Sequence, residues 1–301
     1  MTLPLIIICG ATATGKSDLA LEVAEKFNGE IINADSMQLY KGMDIGTAKL
    51  TLEERRGIPH HLLDILTVNQ DASVAAYQQL ARESIAEIQA RNKVAIVVGG
   101  TGLYIKSIID EMNFPETDPE LRAKLEGEAE ILGAAELYSR LRLLDPEAAA
   151  AIEPANTRRI IRALEVIEVT GKPYSANLPS DTSLRFPDAL HIGLAMERSS
   201  LAPRIEARVH RMFDQGLLGE VEELMREGLL EATTAQRAIG YAQVISLING
   251  KISKEEAVEE TIVATRQYVR RQETWFKRDQ RIQWIGEGKP RLPFIEERIN
   301  S

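Results

Sequence analysis

The sequence predicts an α/β protein in which a parallel sheet flanked by helices is interrupted by an all-helical insertion. Three observations point there. Apolar runs alternate with amphipathic helical patterns through the first 110 residues, and a glycine-rich loop joins the first run to the first helix. Residues 112–190 then favour helix until a strand-like pattern resumes at His191. Such alternation implies parallel pairing with right-handed crossovers. The expected organisation is a core at 1–111, an insertion at 112–190, and a return to the core with C-terminal helices at 191–301.

Leu5–Cys9 is a continuous apolar run containing Ile6, Ile7 and Ile8, as a strand covered on both faces requires. Ser17–Phe27 carries apolar residues at helical spacing and stops at Asn28-Gly29. Glu30–Asn33 and Lys93–Val98 are expected strands, the second closed by Gly99-Gly100, with a helix over Val74–Ala90 between them. In the insertion, Pro115, Pro119, Pro146 and Pro154 separate helical candidates at Glu120–Gly127, Ala134–Leu143, Pro146–Ala151 and Asn156–Val169. His191–Ala195 is the next strand. Everything beyond it is expected to be helical: Leu201–Asp214, Leu218–Arg226, Gln236–Ile248, and Glu255 to about Lys277.

Composition narrows the class of function. The 301 residues include 36 Lys+Arg and 45 Asp+Glu, a formal charge of −9, which argues against indiscriminate coating of nucleic acid but leaves room for a local basic groove. One cysteine, Cys9, excludes an intramolecular disulfide framework and a cysteine-built zinc site, and fits a reducing cytoplasm. Its place in the first strand should leave it inert. No apolar run approaches the roughly 18 residues of a membrane helix, and Leu3–Cys9 lacks the basic flank of a signal peptide. No long exposed apolar stripe is evident, so a monomer is expected.

Gly10-Ala11-Thr12-Ala13-Thr14-Gly15-Lys16-Ser17 matches G-x-x-x-x-G-K-[ST] between a buried strand and a helix, which makes the sheet a P-loop type. Glycines let backbone N–H groups turn inward around an anion, and the helix N-terminus adds its dipole. Lys16 offers a charge to phosphate oxygens, and the Ser17 hydroxyl can ligate Mg²⁺. The motif alone does not say whose phosphate is bound. Asp35, just past the second strand, can assist a metal, orient a substrate or accept a proton, or it can simply cap a turn. Adjacent His60 and His61 point apart and lack further metal ligands, so a structural role is expected.

Further segments complete a distinctive order. They are Asp35-Ser36-Met37-Gln38 with Tyr40, Lys41–Lys49, His60–Asp64, Gly99–Tyr104, Arg162–Val166, Ile239-Gly240-Tyr241, and Thr265–Phe276. Together with the loop they resemble the bacterial tRNA dimethylallyltransferases, also called tRNA isopentenyltransferases, over nearly the whole chain. Departures are small: Ala11 stands where many relatives carry Pro, and Leu50 where Pro is common.

The resemblance implies transfer of a dimethylallyl group from dimethylallyl diphosphate to N6 of the adenosine 3′-adjacent to the anticodon. Gly10 to Ser17, residue by residue, would then hold the diphosphate rather than ATP, with Mg²⁺ on Ser17. Asp35, Thr101 and Arg208 would be catalytic: Asp35 as proton acceptor, Thr101 near the bridging oxygen, and Arg208 on the leaving group. Asp35, Ser36, Met37, Gln38 and Thr101 would meet the extruded adenine. Arg122, Arg158, Arg159, Ile160, Ile161 and Arg162, with Thr233, Thr234, Ala235, Gln236, Arg237 and Ala238, would contact the anticodon stem-loop.

Arg266, Arg270, Arg271, Lys277, Arg278 and Arg281 face only two acids, Glu273 and Asp279, so this segment suits phosphate-backbone binding. Trp275 and Phe276 within it are expected in the core. Three other functions compete. An adenylate isopentenyltransferase has no need of the insertion or the basic tail, a P-loop kinase has no use for the arginine clusters, and a plain RNA-binding module leaves the phosphate loop and Asp35 idle.

Overall fold

The computed structural model describes residues 4–175 and 184–299. Leu3 of the N-terminal apolar stretch and residues 176–183 of the expected insertion lie outside the described residues. The chain divides into two compact units, 1–109 with 186–301, and 110–185.

The first unit is built on six parallel strands in the order β3-β2-β4-β1-β5-β6. They are β1 (Leu5–Gly10), β2 (Gly29–Asn33), β3 (His60–His61), β4 (Val94–Val98), β5 (Leu190–Leu194) and β6 (Gln283–Ile285). β1 lies at the centre, with Ile7 paired to Val97 on one side and His191 on the other. All six of its residues are buried, as a strand covered on both faces must be. Leu5, Ile7 and Cys9 face a core closed by α2 (Val74–Ala90) and α3 (Gly102–Ile109), while Ile6 and Ile8 face α1 (Lys16–Phe27).

In the second unit α4 (Pro119–Leu132), α5 (Ala134–Leu144), α6 (Pro146–Ala151) and α7 (Thr157–Thr170) enclose Leu125, Leu137, Leu141, Ile160 and Leu164. Side-chain caps begin several of these helices: Asp118 accepts from the N–H groups of Glu120 and Leu121, Asp145 from Ala148, and Asn156 from Arg159. The chain returns to the first unit through β5, α8 (Arg198–Asp214), α9 (Leu217–Arg226), α10 (Tyr241–Ile248), α11 (Lys254–Phe276) and α12 (Arg291–Ile299). No described helix is long and apolar enough to cross a membrane.

The parallel sheet, its flanking helices and the helical stretch after α3 follow the expected fold class. Three expectations need correction. The continuous helix over Gln236–Ile248 is instead a single 3-10 turn at Ala235–Arg237 followed by α10. Gly240 between them has φ 91°, a left-handed conformation that no α-helix accommodates. The C-terminal segment also contains a strand, β6, which at three residues is too short to show a period. Finally, Phe276 is buried as expected, but Trp275 remains 37% exposed, its indole lying over Gly102. Cys9 is enclosed, and burial pushes its thiol up to about 12, far from the reactive thiolate.

Candidate active site

Ligands of a doubly wound sheet bind beyond the carboxyl ends of its strands. There β1 runs into the loop before α1, and Gly10, Ala13 and Gly15 all take positive φ (131°, 64° and 86°). This turns the backbone into a concave anion seat ahead of a helix N-terminus. Interior bonds stiffen it: Thr14 Oγ1 and Lys16 Nζ both donate to Ala11 O, at 2.8 and 2.6 Å. Burial is the main cause that lowers the Lys16 ammonium to about 8, the Arg208 charge adds to it, and Asp35 opposes both.

Lys16 lines a cavity of about 560 Å³ that also takes in Thr12, Ala13, Gly15, Ser17, Asp35, Gln38 and Arg208. Sequence positions from 12 to 208 thus converge on one space. Asp35 follows β2 in a tight polar turn. Its N–H donates to Asn33 Oδ1 and its own Oδ1 accepts from Met37 N, both at 2.9 Å. Asp35 Oδ2 has no hydrogen-bond partner among the described residues. Thr101 and Ser36 stand one bond behind, where Thr101 Oγ1 accepts from Ser36 N at 3.1 Å. Thr101, Ser36 and Met37 do not line the cavity. Gly10, Ala11 and Thr14 form the floor of the loop, with Ala11 and Thr14 buried.

Arg208 reaches the cavity from α8. Its Nη2 donates to Thr47 O at 3.1 Å, and Gln38 Nε2 donates to the same oxygen at 3.2 Å. Burial lowers its pKa, and attraction to Asp35 opposes this. Arg204 and Arg211 from the same helix also line the space, so cationic side chains outnumber its two carboxylates, Asp18 and Asp35. Ser17 Oγ makes no hydrogen bond among the described residues and, with Asp18 and Asp35 nearby on the cavity wall, offers oxygen donors of the kind Mg²⁺ prefers.

Gln272, not singled out from the sequence, is 4% exposed on α11 and joins two of the loops. Its Oε1 accepts from Thr12 N, and its Nε2 donates to Gly100 O, each at 2.9 Å. Its place within the distinctive segment Thr265–Phe276 was visible in the sequence, but the two loops it joins were not.

The residues assigned to RNA fall into different environments. In the second unit, Arg158 and Arg159 are exposed with no ion pair among the described residues. Arg162 instead joins Arg122 on the buried Glu165, at 3.0 and 2.6 Å. Burial raises the Glu165 pKa, but these two guanidinium bonds and the Asp118 N–H outweigh it and hold the carboxyl below its usual range. Ile160 and Ile161 turn into that unit's core. In the first unit, Thr233 and Thr234 both hydrogen-bond Asp71. Gln236 Nε2 donates to Ala232 O at 2.6 Å, Ala235 and Ala238 are buried, and Arg237 is exposed.

Of the basic C-terminal residues, Arg266 pairs with Glu206 and Arg281 with Asp279, and Arg271 lies over the Tyr268 ring. Arg270, Lys277 and Arg278 are exposed without an ion pair among the described residues. His61 Nε2 is 2.7 Å from Glu30 Oε2, and His60 Nδ1 is 2.8 Å from Ile58 O, which are structural contacts.

Fold and cavity together define an α/β protein with a concave glycine-rich loop, a carboxylate turn and an arginine-rich helix around one cavity. The family model for IPP transferase matches residues 38–279, and the chain belongs to that family. Similar proteins include the tRNA dimethylallyltransferases of Thermobifida fusca, 52% identical over 96% of this chain and 91% of the relative, and of Corynebacterium efficiens, 53% identical over 93% of each. Among solved structures, a tRNA delta(2)-isopentenylpyrophosphate transferase from Staphylococcus epidermidis is 41% identical with TM-score 0.73, covering 99% of both chains. A eukaryotic dimethylallyltransferase described as acting on tRNA is 30% identical with TM-score 0.81, covering 94% of this chain and 74% of that one.

Proposed function

We propose that the chain transfers a dimethylallyl group from dimethylallyl diphosphate to N6 of the adenosine 3′-adjacent to the anticodon in tRNAs, releasing diphosphate. Family membership and the shared name of the similar proteins support the reaction class. The observation that carries the reading is one cavity holding Lys16, Asp35 and Arg208 together.

The chemistry follows from those groups. The N6 lone pair of adenine forms a bond to C1 of the prenyl group as the C1–O bond breaks, and that electron pair leaves on diphosphate. Lys16, Arg208 and the loop amides stabilise the charge that builds on the leaving oxygens. Asp35 accepts the N6 proton, so the amine attacks without becoming a cation. Ser17, with Asp18 and Asp35 on the same cavity wall, would hold Mg²⁺. A bound Mg²⁺ would supply additional neutralisation of phosphate charge.

The adenine must leave its stack to reach the cavity, as enzymes acting on bases require. Gln38, beside Asp35 on the cavity wall, is the group available to meet it, while Ser36 and Met37 stand behind that wall. Arg158 and Arg159 of the second unit, with Arg237, Arg270, Lys277 and Arg278 of the first, supply exposed charge for the RNA backbone. A monomer in the reducing cytoplasm is part of this reading. The test is incubation with Mg²⁺, labelled dimethylallyl diphosphate, and either an unmodified anticodon stem-loop or AMP. Label in the stem-loop is expected. Label in AMP alone would make the acceptor a free nucleotide and overturn the RNA assignment.

A further inference from the structure

We propose that Glu220, on α9 and outside the cavity, is a positioning residue that aims Arg208 and Gln38 by clamping the 44–47 segment. The proposal rests on the diphosphate site described above.

The clamp is a carboxylate surrounded by donors. Glu220 Oε2 accepts from Asp44 N at 3.2 Å and Ile45 N at 2.7 Å. Its Oε1 accepts from Gly46 N at 3.3 Å and from the hydroxyl of the fully buried Tyr241 at 2.5 Å. Three consecutive backbone amides therefore converge on one side chain 174 to 176 residues away in sequence. Gly46 lets this happen, because a Cβ there would lie 2.4 Å from the Tyr241 ring. The four bonds include charge-assisted ones, the stronger class in proteins.

A second set of contacts, centred on Lys49, ties the far end of the segment back to Asp44 and to the neighbouring loop. Lys49, its side chain 2% exposed, donates to Tyr40 O at 2.8 Å and forms ion pairs with Asp44 at 2.6 Å and Asp64 at 2.5 Å. Thr47 sits between these anchors, its own Oγ1 donating to Met43 O at 2.6 Å. What the double anchoring holds in place is the Thr47 carbonyl. That oxygen accepts hydrogen bonds from both Arg208 Nη2 and Gln38 Nε2. A guanidinium with five donors and a long stem needs such an acceptor to present a fixed edge to a phosphate. Glu220 thus acts through Thr47 on groups that line the cavity, while touching none of the cavity itself.

The experiment is calorimetric binding of inorganic pyrophosphate, with Mg²⁺ present, to the full chain and to Glu220→Ala, Arg208→Lys and the double variant. Arg208→Lys keeps the charge but loses the planar edge. If Glu220 works through Arg208, Glu220→Ala weakens pyrophosphate binding about tenfold in the wild-type background and less than threefold in the Arg208→Lys background, the non-additivity expected of coupled sites. Equal losses in both backgrounds, or a loss below twofold in the first, would overturn the proposal.

Thermal unfolding monitors folding. If Glu220→Ala gives no cooperative transition, the same cycle is run with Tyr241→Phe, which leaves the three amide bonds. A two- to threefold weakening, absent when Arg208 is Lys, is then expected, and equal weakening in both backgrounds refutes the clamp. Prenyl transfer by the wild type is scored separately. A chain that binds pyrophosphate but transfers no prenyl group overturns the proposed function and leaves the clamp standing, whereas a chain that binds no pyrophosphate overturns both.

Discussion

Replacing Gln272 with Leu removes the amide that joins the phosphate loop to Gly100 while roughly preserving volume. Two backbone groups lose their partners: Gly100 C=O, which is buried, and Thr12 N–H, which borders the cavity. An orphaned buried group costs about 1–3 kcal/mol, and a group that water can reach costs about 0.5–1 kcal/mol. Burying leucine methyl groups in place of an amide recovers roughly 1 kcal/mol, which leaves a net loss of about 2 kcal/mol. Both tryptophans, Trp275 and Trp284, belong to the first unit, so urea unfolding followed by their fluorescence reports on that unit. Pyrophosphate binding should weaken as well, because Thr12 no longer holds its place in the anion seat. A Gln272→Leu protein within 0.5 kcal/mol of wild type in stability, with unchanged pyrophosphate affinity, would refute the reasoning. Gln272→Glu gives an internal comparison: it keeps an acceptor for Thr12 N but sets a carboxylate against Gly100 O and the incoming anion, so binding should fall further than stability.

Three further outcomes are expected. Burial raises the Glu30 pKa, but hydrogen bonds from Lys93, His61 and Arg91 outweigh it and pull the carboxyl down to about 2 from an ordinary 4.5. Its contribution to stability, about 3 kcal/mol, is therefore present above pH 4.5 and lost as pH falls from there toward 2. Acid unfolding of Glu30→Gln against wild type should show a deficit at neutral pH that vanishes at the acid end, and a constant deficit would contradict it. Because the Lys16 ammonium is lowered to about 8, roughly half of it is neutral at that pH, and pyrophosphate binding should draw in up to about half a proton. Calorimetry in buffers of different ionisation enthalpy should show this uptake in wild type but not in Lys16→Arg, and equal uptake in both would dismiss it. Arg158→Glu with Arg159→Glu should weaken stem-loop binding across sequences and reduce the salt slope by about 2, because each phosphate contact contributes about 0.9. An unchanged slope would take these residues out of the RNA contact.

Strand and helix periods and one motif made much of the fold legible. β1 and β4 are long enough to show continuous apolar runs, and the loop between β1 and α1 matches G-x-x-x-x-G-K-[ST]. His60–His61 and β6 escaped because two or three residues cannot display a period. The break before α10 escaped because a glycine inside a helical pattern does not announce its φ. In the candidate site, Lys16 and Asp35 are local features of loop and strand end. Gln272 and Glu220 are not, because their roles consist of contacts made across 260 and 176 residues, and no pattern near either one encodes the partner. The pairing of Arg122 and Arg162 on Glu165 was hidden for a similar reason: a run of arginines looks the same in sequence whether it faces solvent or a buried carboxylate.

The measurement that tests the central claim most directly is single-turnover transfer of labelled prenyl group to an anticodon stem-loop, with Mg²⁺, by wild type and Asp35→Asn. The account predicts label in the RNA for wild type, a rate lower by roughly 10²–10⁴-fold for Asp35→Asn as expected when a general base is lost, and pyrophosphate affinity in the variant within about threefold of wild type. Undiminished transfer by Asp35→Asn, or no transfer to RNA by a wild-type protein that binds pyrophosphate, would contradict it.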